Sequence, residues 1–124
     1  MIESSLVLQK SFQFSIRIVR LYKYLITEKR EYVMSKQLLK SGTSIGANLR
    51  EAKYAQSTLD FINKNSIALK EASETEYWLE LLYCTDYLDD EGYSSIISDC
   101  NEIARLLVSI VKTSKETTNK KLDN

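Results

Sequence analysis

Two glutamates, Glu51 and Glu76, have the type and placement that could support chemistry. Glu51 borders the apolar stripe of a predicted helix, and Glu76 lies near the middle of the stripe of the next one. Such a carboxylate pair acts as general acid and base, or supplies ligands to a metal ion inside a helical bundle. Carboxylate metal sites in bundles also draw on histidines, and the sequence contains none. We therefore predict no catalytic residue, no metal site, no cofactor and no enzymatic activity.

A structural role suits these glutamates better than a catalytic one. Ser44, Asn48 and Glu51 recur at helical spacing along the border of one stripe. Asn65 occupies the same stripe as Glu76 on the following helix. Buried polar groups need hydrogen-bond partners. We interpret these five residues as a polar network that fixes the register of two helices.

The two cysteines, Cys84 and Cys100, both lie in helical, apolar contexts. We interpret them as a reduced pair of packed thiols; a disulfide or a redox site is the alternative. The absence of histidine also excludes imidazole as a general base.

Charge is unevenly distributed along the chain, although the net charge is zero. Residues 1–70 carry 12 Lys and Arg against 5 Asp and Glu, and residues 71–111 carry 1 against 10. A neutral chain is not a globally basic nucleic-acid binder, so phosphate contacts require a local patch. The candidate nucleic-acid-binding residues, all on the first two helices, are Arg17, Arg20, Lys23, Lys36, Lys40, Arg50 and Lys53. The alternative is that these cations pair with acids of the same helix or of another subunit.

Helices must position all of these groups, because the chain has no proline and only three glycines to interrupt a helix. Apolar periodicity predicts helices over residues 5–28, 32–55, 58–88 and 94–113, with the turn at residues 89–92 ending the third. Four amphipathic segments with short connections predict an all-α, antiparallel up-down-up-down four-helix bundle. We expect one domain, residues 1–113, followed by a disordered polar tail, residues 114–124.

Gly42 falls inside the apolar stripe of the second helix, and Gly46 lies at its edge. Two glycines within a helix cost about 2 kcal/mol together relative to alanine. This predicts a close approach of another element to the backbone there. The alternative is a helix break near Gly42, with Thr43 or Ser44 capping a new helix.

The third helix carries a second apolar face, formed by Ile67, Tyr77, Trp78 and Leu81. A bundle buries only one face of each helix, and aromatic residues are enriched at the centre of protein interfaces. We predict that this face forms a homo-oligomer interface, against the alternative of scattered surface apolar residues.

The apolar runs are interrupted by charges, and the N-terminus lacks the apolar region of a signal peptide. We therefore expect a cytoplasmic protein with no membrane association.

Residues 37–52, QLLKSGTSIGANLREA, and residues 61–79, beginning with Phe61 and Ile62, carry a family resemblance. They resemble the bacterial four helix bundle protein family, whose founding members are encoded in intervening sequences of large-subunit ribosomal RNA genes. The resemblance implies a ring-like homopentamer. It also implies kinship to the accessory variability protein of diversity-generating retroelements, which binds nucleic acid and a reverse transcriptase through basic surface. The chain departs from the pattern in having Ala52 where the family has glycine, and in being neutral overall.

Together these observations predict a non-enzymatic oligomeric scaffold whose partners are further copies of itself and either RNA or a nucleic-acid-handling protein. The alternative is a protein-protein interaction module without nucleic-acid binding.

Overall fold

The computed structural model describes the backbone of residues 2–123 and the side chains of residues 2–120. Within these residues the chain forms four helices, which are α1 (Ile2–Thr27), α2 (Met34–Lys53), α3 (Thr58–Cys84) and α4 (Asp90–Asp123). Each helix packs against the next in the chain, and α4 packs back against α1. This order is that of an up-down-up-down bundle, so the predicted fold is confirmed.

The core runs along the axis of the bundle and takes side chains from all four helices. Its apolar residues recur three or four positions apart, which places them on one side of each helix. The largest buried apolar side chains are Phe14, Ile18, Leu25, Leu38, Ile45, Leu79, Leu82, Ile103, Leu107 and Ile110. None of the described helices has an apolar stretch long enough to cross a bilayer.

Helix α2 runs without a break through both of its glycines. A Cβ atom on Gly42 would lie 2.8 Å from Cγ1 of the buried Ile18 on α1. A Cβ atom on Gly46 would lie 3.2 Å from the hydroxyl oxygen of Ser15, which is also on α1. The predicted close approach is confirmed, and the alternative break near Gly42 does not occur.

The connection from α1 to α2 is built around a buried carboxylate. Arg30 adopts a left-handed conformation, with φ 52°. The next side chain, Glu31, accepts hydrogen bonds from the N–H groups of Val33, Met34 and Ser35 at 3.0, 2.9 and 2.6 Å. Burial alone would raise the pKa of Glu31, but these donors outweigh it and hold the pKa below its ordinary value of 4.5. Glu31 thus anchors the start of α2.

The connection from α3 to α4 differs from the prediction. Helix α3 ends at Cys84, and Asp86 then takes the left-handed conformation (φ 71°) that commonly closes a helix. The Asp89 carboxylate accepts the Gly92 N–H at 2.7 Å, which caps the first turn of α4. The expectation that residues 89–92 end the third helix was therefore wrong, because Gly92 already belongs to α4.

Helix α4 is longer than predicted. It continues to Asp123 rather than stopping near residue 113, and Ser114 is buried. The predicted boundary at residue 113 therefore falls inside a helix, whereas the disorder of residues 114–124 stays a prediction. Residues 1 and 124 and the side chains of residues 121–123 lie outside the described residues.

Candidate nucleic-acid interface

Arg17, one of the seven candidate cations, is held against α4. Its Nη1 atom lies 2.7 Å from Oδ2 of Asp99, and Nη2 donates to the Ser95 hydroxyl at 2.9 Å. On the same seam, Lys10, two turns before Arg17 on α1, pairs with Glu102, one turn after Asp99 on α4, at 2.8 Å. These contacts join α1 to α4 and occupy the Arg17 guanidinium within the chain. Arg17 is thus paired, but with another helix of the same chain, whereas the alternative placed the partner on the same helix or on another subunit.

The other six candidate cations are exposed. Among residues 2–120 the ion pairs involve Lys10, Arg17 and Lys64, so none of the six has a carboxylate within ion-pairing distance. The antiparallel packing of α1 and α2 divides them between the two ends of the bundle. Four of them lie towards the end of the bundle where α2 begins: Arg20 and Lys23 on α1, and Lys36 and Lys40 at a similar position along the bundle axis on α2. Arg50 and Lys53 lie at the opposite end of the bundle.

Lys40 lies on the side of α2 that faces α3. Burial, followed by the neighbouring Glu74, raises the pKa of the Glu71 carboxyl, and the positive charges of Lys70 and Lys40 offset only part of that rise. The six cations therefore do not form a single flat surface. Five of them lie on α1 and the outer side of α2, and Lys40 lies nearer to α3.

Two of the exposed cations lie over aromatic rings. The Arg50 guanidinium carbon is 5.6 Å from the centre of the Phe12 ring, and Lys53 Nζ is 5.5 Å from the centre of the Tyr54 ring. Both rings are exposed, at 52% for Phe12 and 73% for Tyr54. Cations beside exposed rings are typical of surfaces that bind single-stranded nucleic acid. Phe12 was not among the predicted site residues, although an aromatic side chain opposite the apolar stripe of α1 was a signal.

The predicted polar network does not assemble as one cluster. The Asn48 amide donates to the Ser44 carbonyl within α2 at 2.8 Å, and Asn65 bonds within α3. Glu51 is exposed and lies 3.6 Å from Lys64. Glu76 is also exposed, which corrects its expected place in the middle of the apolar stripe. The five side chains instead bond within their own helices or lie at the surface.

A different pair makes the buried polar contact between these helices. Thr75 Oγ1 lies 3.0 Å from Ser41 Oγ across the α2–α3 boundary, and the same hydroxyl donates to the Glu71 carbonyl at 2.7 Å. Both residues are buried. Within residues 2–120, no group of three or more His, Cys, Asp or Glu side chains is placed to hold a metal ion.

The outer face of α3 exposes two of the four predicted interface residues. Ile67 is 40% exposed and Tyr77 is 58% exposed. Trp78 and Leu81 are half-buried, and Trp78 packs against the core instead of standing free. The Tyr77 and Trp78 rings meet edge to face, with centres 5.0 Å apart. Trp78 Nε1 is buried and has no acceptor among the described residues.

The two cysteines are not bonded to each other and differ in environment. Cys100 is buried in the core, where burial, followed by the nearby Glu76 and Asp99, raises the pKa of its thiol to about 12. Its Sγ atom lies 3.5 Å from the Ala72 carbonyl oxygen. Cys84 is exposed, so the expectation that both thiols are packed was wrong for this residue.

This four-helix chain belongs to the 23S rRNA-intervening sequence protein family, whose model matches residues 3–109. It is 61% identical to a solved protein of unknown function from the S23 ribosomal protein family of Bacteroides thetaiotaomicron VPI-5482. The superposition has a TM-score of 0.87 and covers 89% of this chain and 98% of that one. No curated protein matches the chain significantly.

Proposed function

We propose that this protein is a non-enzymatic, homo-oligomeric scaffold that binds RNA through the exposed cations of α1 and α2. The observation that carries the proposal is that six of the seven candidate cations are exposed and lack a carboxylate partner within residues 2–120. Unpaired cations are free to contact phosphates and to release the counterions that RNA condenses.

The separation of charge within the fold supports the same proposal. The acids that balance the net charge are concentrated in residues 71–111, on α3, on α4 and in the turn between them. Asp99 and Glu102 of this region pair with cations of α1 at the α1–α4 seam, and Glu71 lies near Lys40 of α2. The remaining cations of the six keep their positive charge available to a phosphate backbone. The names of the family and of the similar solved protein both refer to the ribosome or its RNA, which supports an RNA partner.

Salt-dependent binding of a labelled single-stranded RNA tests the RNA-binding part. Six phosphate contacts to single-stranded RNA predict a slope of about −4 in a plot of log affinity against log salt. Neutralising Arg20 and Lys23 together should reduce the steepness of that slope by between one and two. Lys64→Gln is the matched control, because Lys64 already pairs with Glu51. Absence of binding at low salt, or a slope that the double variant leaves unchanged, would overturn this part.

The outer face of α3 supports the oligomeric part. Ile67 and Tyr77 expose apolar surface that the bundle itself does not use, and Leu59 on the same helix is 68% exposed. The family resemblance implies a pentamer, so light scattering should give a mass of about five protomers. Ile67→Glu should lower that mass, because an interface core excludes unpaired charge. Val108→Glu is the control, since Val108 is exposed on α4.

Trp78 is a poor residue for testing the interface, because it packs against the core and its removal would also destabilise the protomer. A monomeric wild type would overturn the oligomer. A protein that self-associates but binds no RNA would leave the second candidate, a protein-protein interaction module, which the exposed face of α3 favours.

A further inference from the structure

A small cavity opens at the end of the bundle where α1 begins, α2 ends and α3 begins. Its volume is about 180 Å³. Apolar side chains form most of its wall, and polar residues complete it. The lining residues are Ser4, Ser5, Val7, Leu8, Leu49, Ala52, Lys53, Phe61 and Asn65.

Asn65 is the buried polar residue of this wall, with 1% of its surface exposed. Its Nδ2 atom donates to the Phe61 carbonyl at 2.8 Å, and this is the one hydrogen bond of the amide to residues 2–120. An amide has two N–H donors and an oxygen with two lone pairs, so one donor and the oxygen remain available. Among the described residues, Trp78 Nε1 is the only side-chain nitrogen or oxygen that is both inaccessible and without a hydrogen-bond partner. The unpaired Asn65 oxygen therefore keeps a small accessible area. Either water or a polar group of a ligand in the cavity can supply the missing partner of Asn65.

The volume limits what that partner is. A cavity of roughly 150 Å³ holds a benzene ring, whereas sites for drug-sized ligands span about 300–1,000 Å³. The apolar wall suits the face of a ring, and the amide suits a ring edge that both donates and accepts hydrogen bonds. A single planar heterocycle meets both requirements. An aliphatic side chain would fill the space but leave the buried amide oxygen unpaired.

The surroundings of the cavity favour an anion attached to that ring. Lys53 lines both the cavity and an adjoining groove of about 510 Å³. The groove also includes Ser57, whose hydroxyl caps α3 by accepting the Asp60 N–H at 3.0 Å, so Lys53 is the group of the groove that favours an anion. Arg50, one turn before Lys53, lies over the exposed Phe12 ring. The cavity thus has room for a base, and Lys53 and the groove beside it can contact the attached phosphate.

We propose that this cavity receives one unpaired base of single-stranded RNA, with the Asn65 amide bonding the edge of the base. Lys53 contacts the adjacent phosphate, and Leu8 and Phe61 pack against the ring. The inference rests on the proposed RNA binding and adds a base-specific component to it. Recognition of splayed-out bases by amide side chains and apolar walls is a common mode of RNA binding.

The test compares fluorescein-labelled ten-nucleotide oligo(A) and oligo(U) with a ten-residue abasic strand of equal charge. The better of the two base-containing strands should bind about tenfold more tightly than the abasic strand. Asn65→Leu should remove most of this advantage and leave binding of the abasic strand unchanged. Asn48→Leu is the matched control, because Asn48 makes the same amide-to-carbonyl bond at 2.8 Å but does not line the cavity. Circular dichroism shows whether each variant folds.

A second measurement uses the wild type and does not depend on a variant that folds. Methyl NMR during the oligonucleotide titration should show shifts at Leu8, Leu49 and Ala52, which line the cavity. Equal affinity for base-containing and abasic strands would overturn the base pocket but leave the proposed function standing. Shifts at these methyl groups on self-association, but not with RNA, would assign the cavity to a protein contact and also overturn it. Absence of all RNA binding would overturn both proposals.

Discussion

The backbone of α2 at Gly42 lies directly against the side chain of Ile18 on α1. A methyl group at Gly42 would approach Cγ1 of Ile18 to 2.8 Å and Cγ2 to 2.9 Å, which is closer than carbon atoms pack. Ile18 is fully buried and branched at Cβ, so it has little freedom to move aside. The spacing between the first two helices therefore depends on the missing side chain.

Gly42→Ala should lower the free energy of unfolding by about 1–3 kcal/mol, because overpacking a close contact outweighs the higher helix propensity of alanine. Gly46→Ala is the control, since its nearest contact is the Ser15 hydroxyl at 3.2 Å. Urea unfolding of both variants makes the comparison. Equal stability of the two variants would show that Ile18 is not overpacked by a methyl group at position 42.

Glu31 should make stability depend on pH in the acid range. Its pKa is lower in the folded than in the unfolded protein, so its contribution is complete above the ordinary value of 4.5. That contribution is lost as the pH falls through the folded pKa, because the unfolded state then binds more protons. Glu31→Gln should cost about 1 kcal/mol at neutral pH. The difference from wild type should shrink at about pH 3.

Chemical denaturation at the two pH values measures this effect. Glu28→Gln provides the control, since Glu28 is an exposed residue of the same connection. A difference between wild type and Glu31→Gln that stays constant with pH would show that the buried carboxylate does not act through its charge.

Arg17 and Asp99 should be coupled weakly. Their side chains are 37% and 45% exposed, and pairs this exposed contribute about 0–1 kcal/mol. A double-mutant cycle with Arg17→Ala and Asp99→Ala should therefore give a coupling free energy of about 0.5 kcal/mol that decreases with added salt. Arg17→Ala should also weaken RNA binding less than Arg20→Ala does, because the Arg17 guanidinium is already occupied. The opposite order would place Arg17 at the RNA interface.

The two thiols should react at very different rates. The thiolate is the reactive form, and the pKa of about 12 for Cys100 leaves almost none of it at neutral pH. A thiol reagent should therefore modify Cys84 alone in the native protein and both cysteines in denaturant. Cys84→Ser identifies the reactive group. Rapid modification of that variant without denaturant would mean that the core opens readily.

The fold was predictable because its signals are local. Apolar residues at helical spacing and the absence of proline define four helices, and glycine inside a helix is tolerated only where something requires it. Gly42 was therefore informative without any knowledge of Ile18. The helix ends were harder, because Arg30 and Asp86 adopt left-handed conformations without being glycine.

The candidate site was less predictable, because its contacts join distant parts of the chain. Periodicity gives the face on which Arg17 lies, but it does not identify Asp99, 82 positions away, as its partner. The buried contact between Ser41 and Thr75 was missed for a related reason. Short hydroxyl side chains interrupt an apolar stripe only slightly, so they attract less attention than a glutamate.

The exposed thiol of Cys84 also provides a native site for a dye from which distances can be measured. Cys84 closes α3, and Asn65 lies 19 residues earlier on the same helix, a separation of about 30 Å at a rise of roughly 1.5 Å per residue. A fluorescent dye attached to the native thiol would therefore sit far from the cavity and leave it unobstructed. Energy transfer from that dye to a dye on an oligonucleotide end would report which way the strand runs along the bundle, with no engineered cysteine.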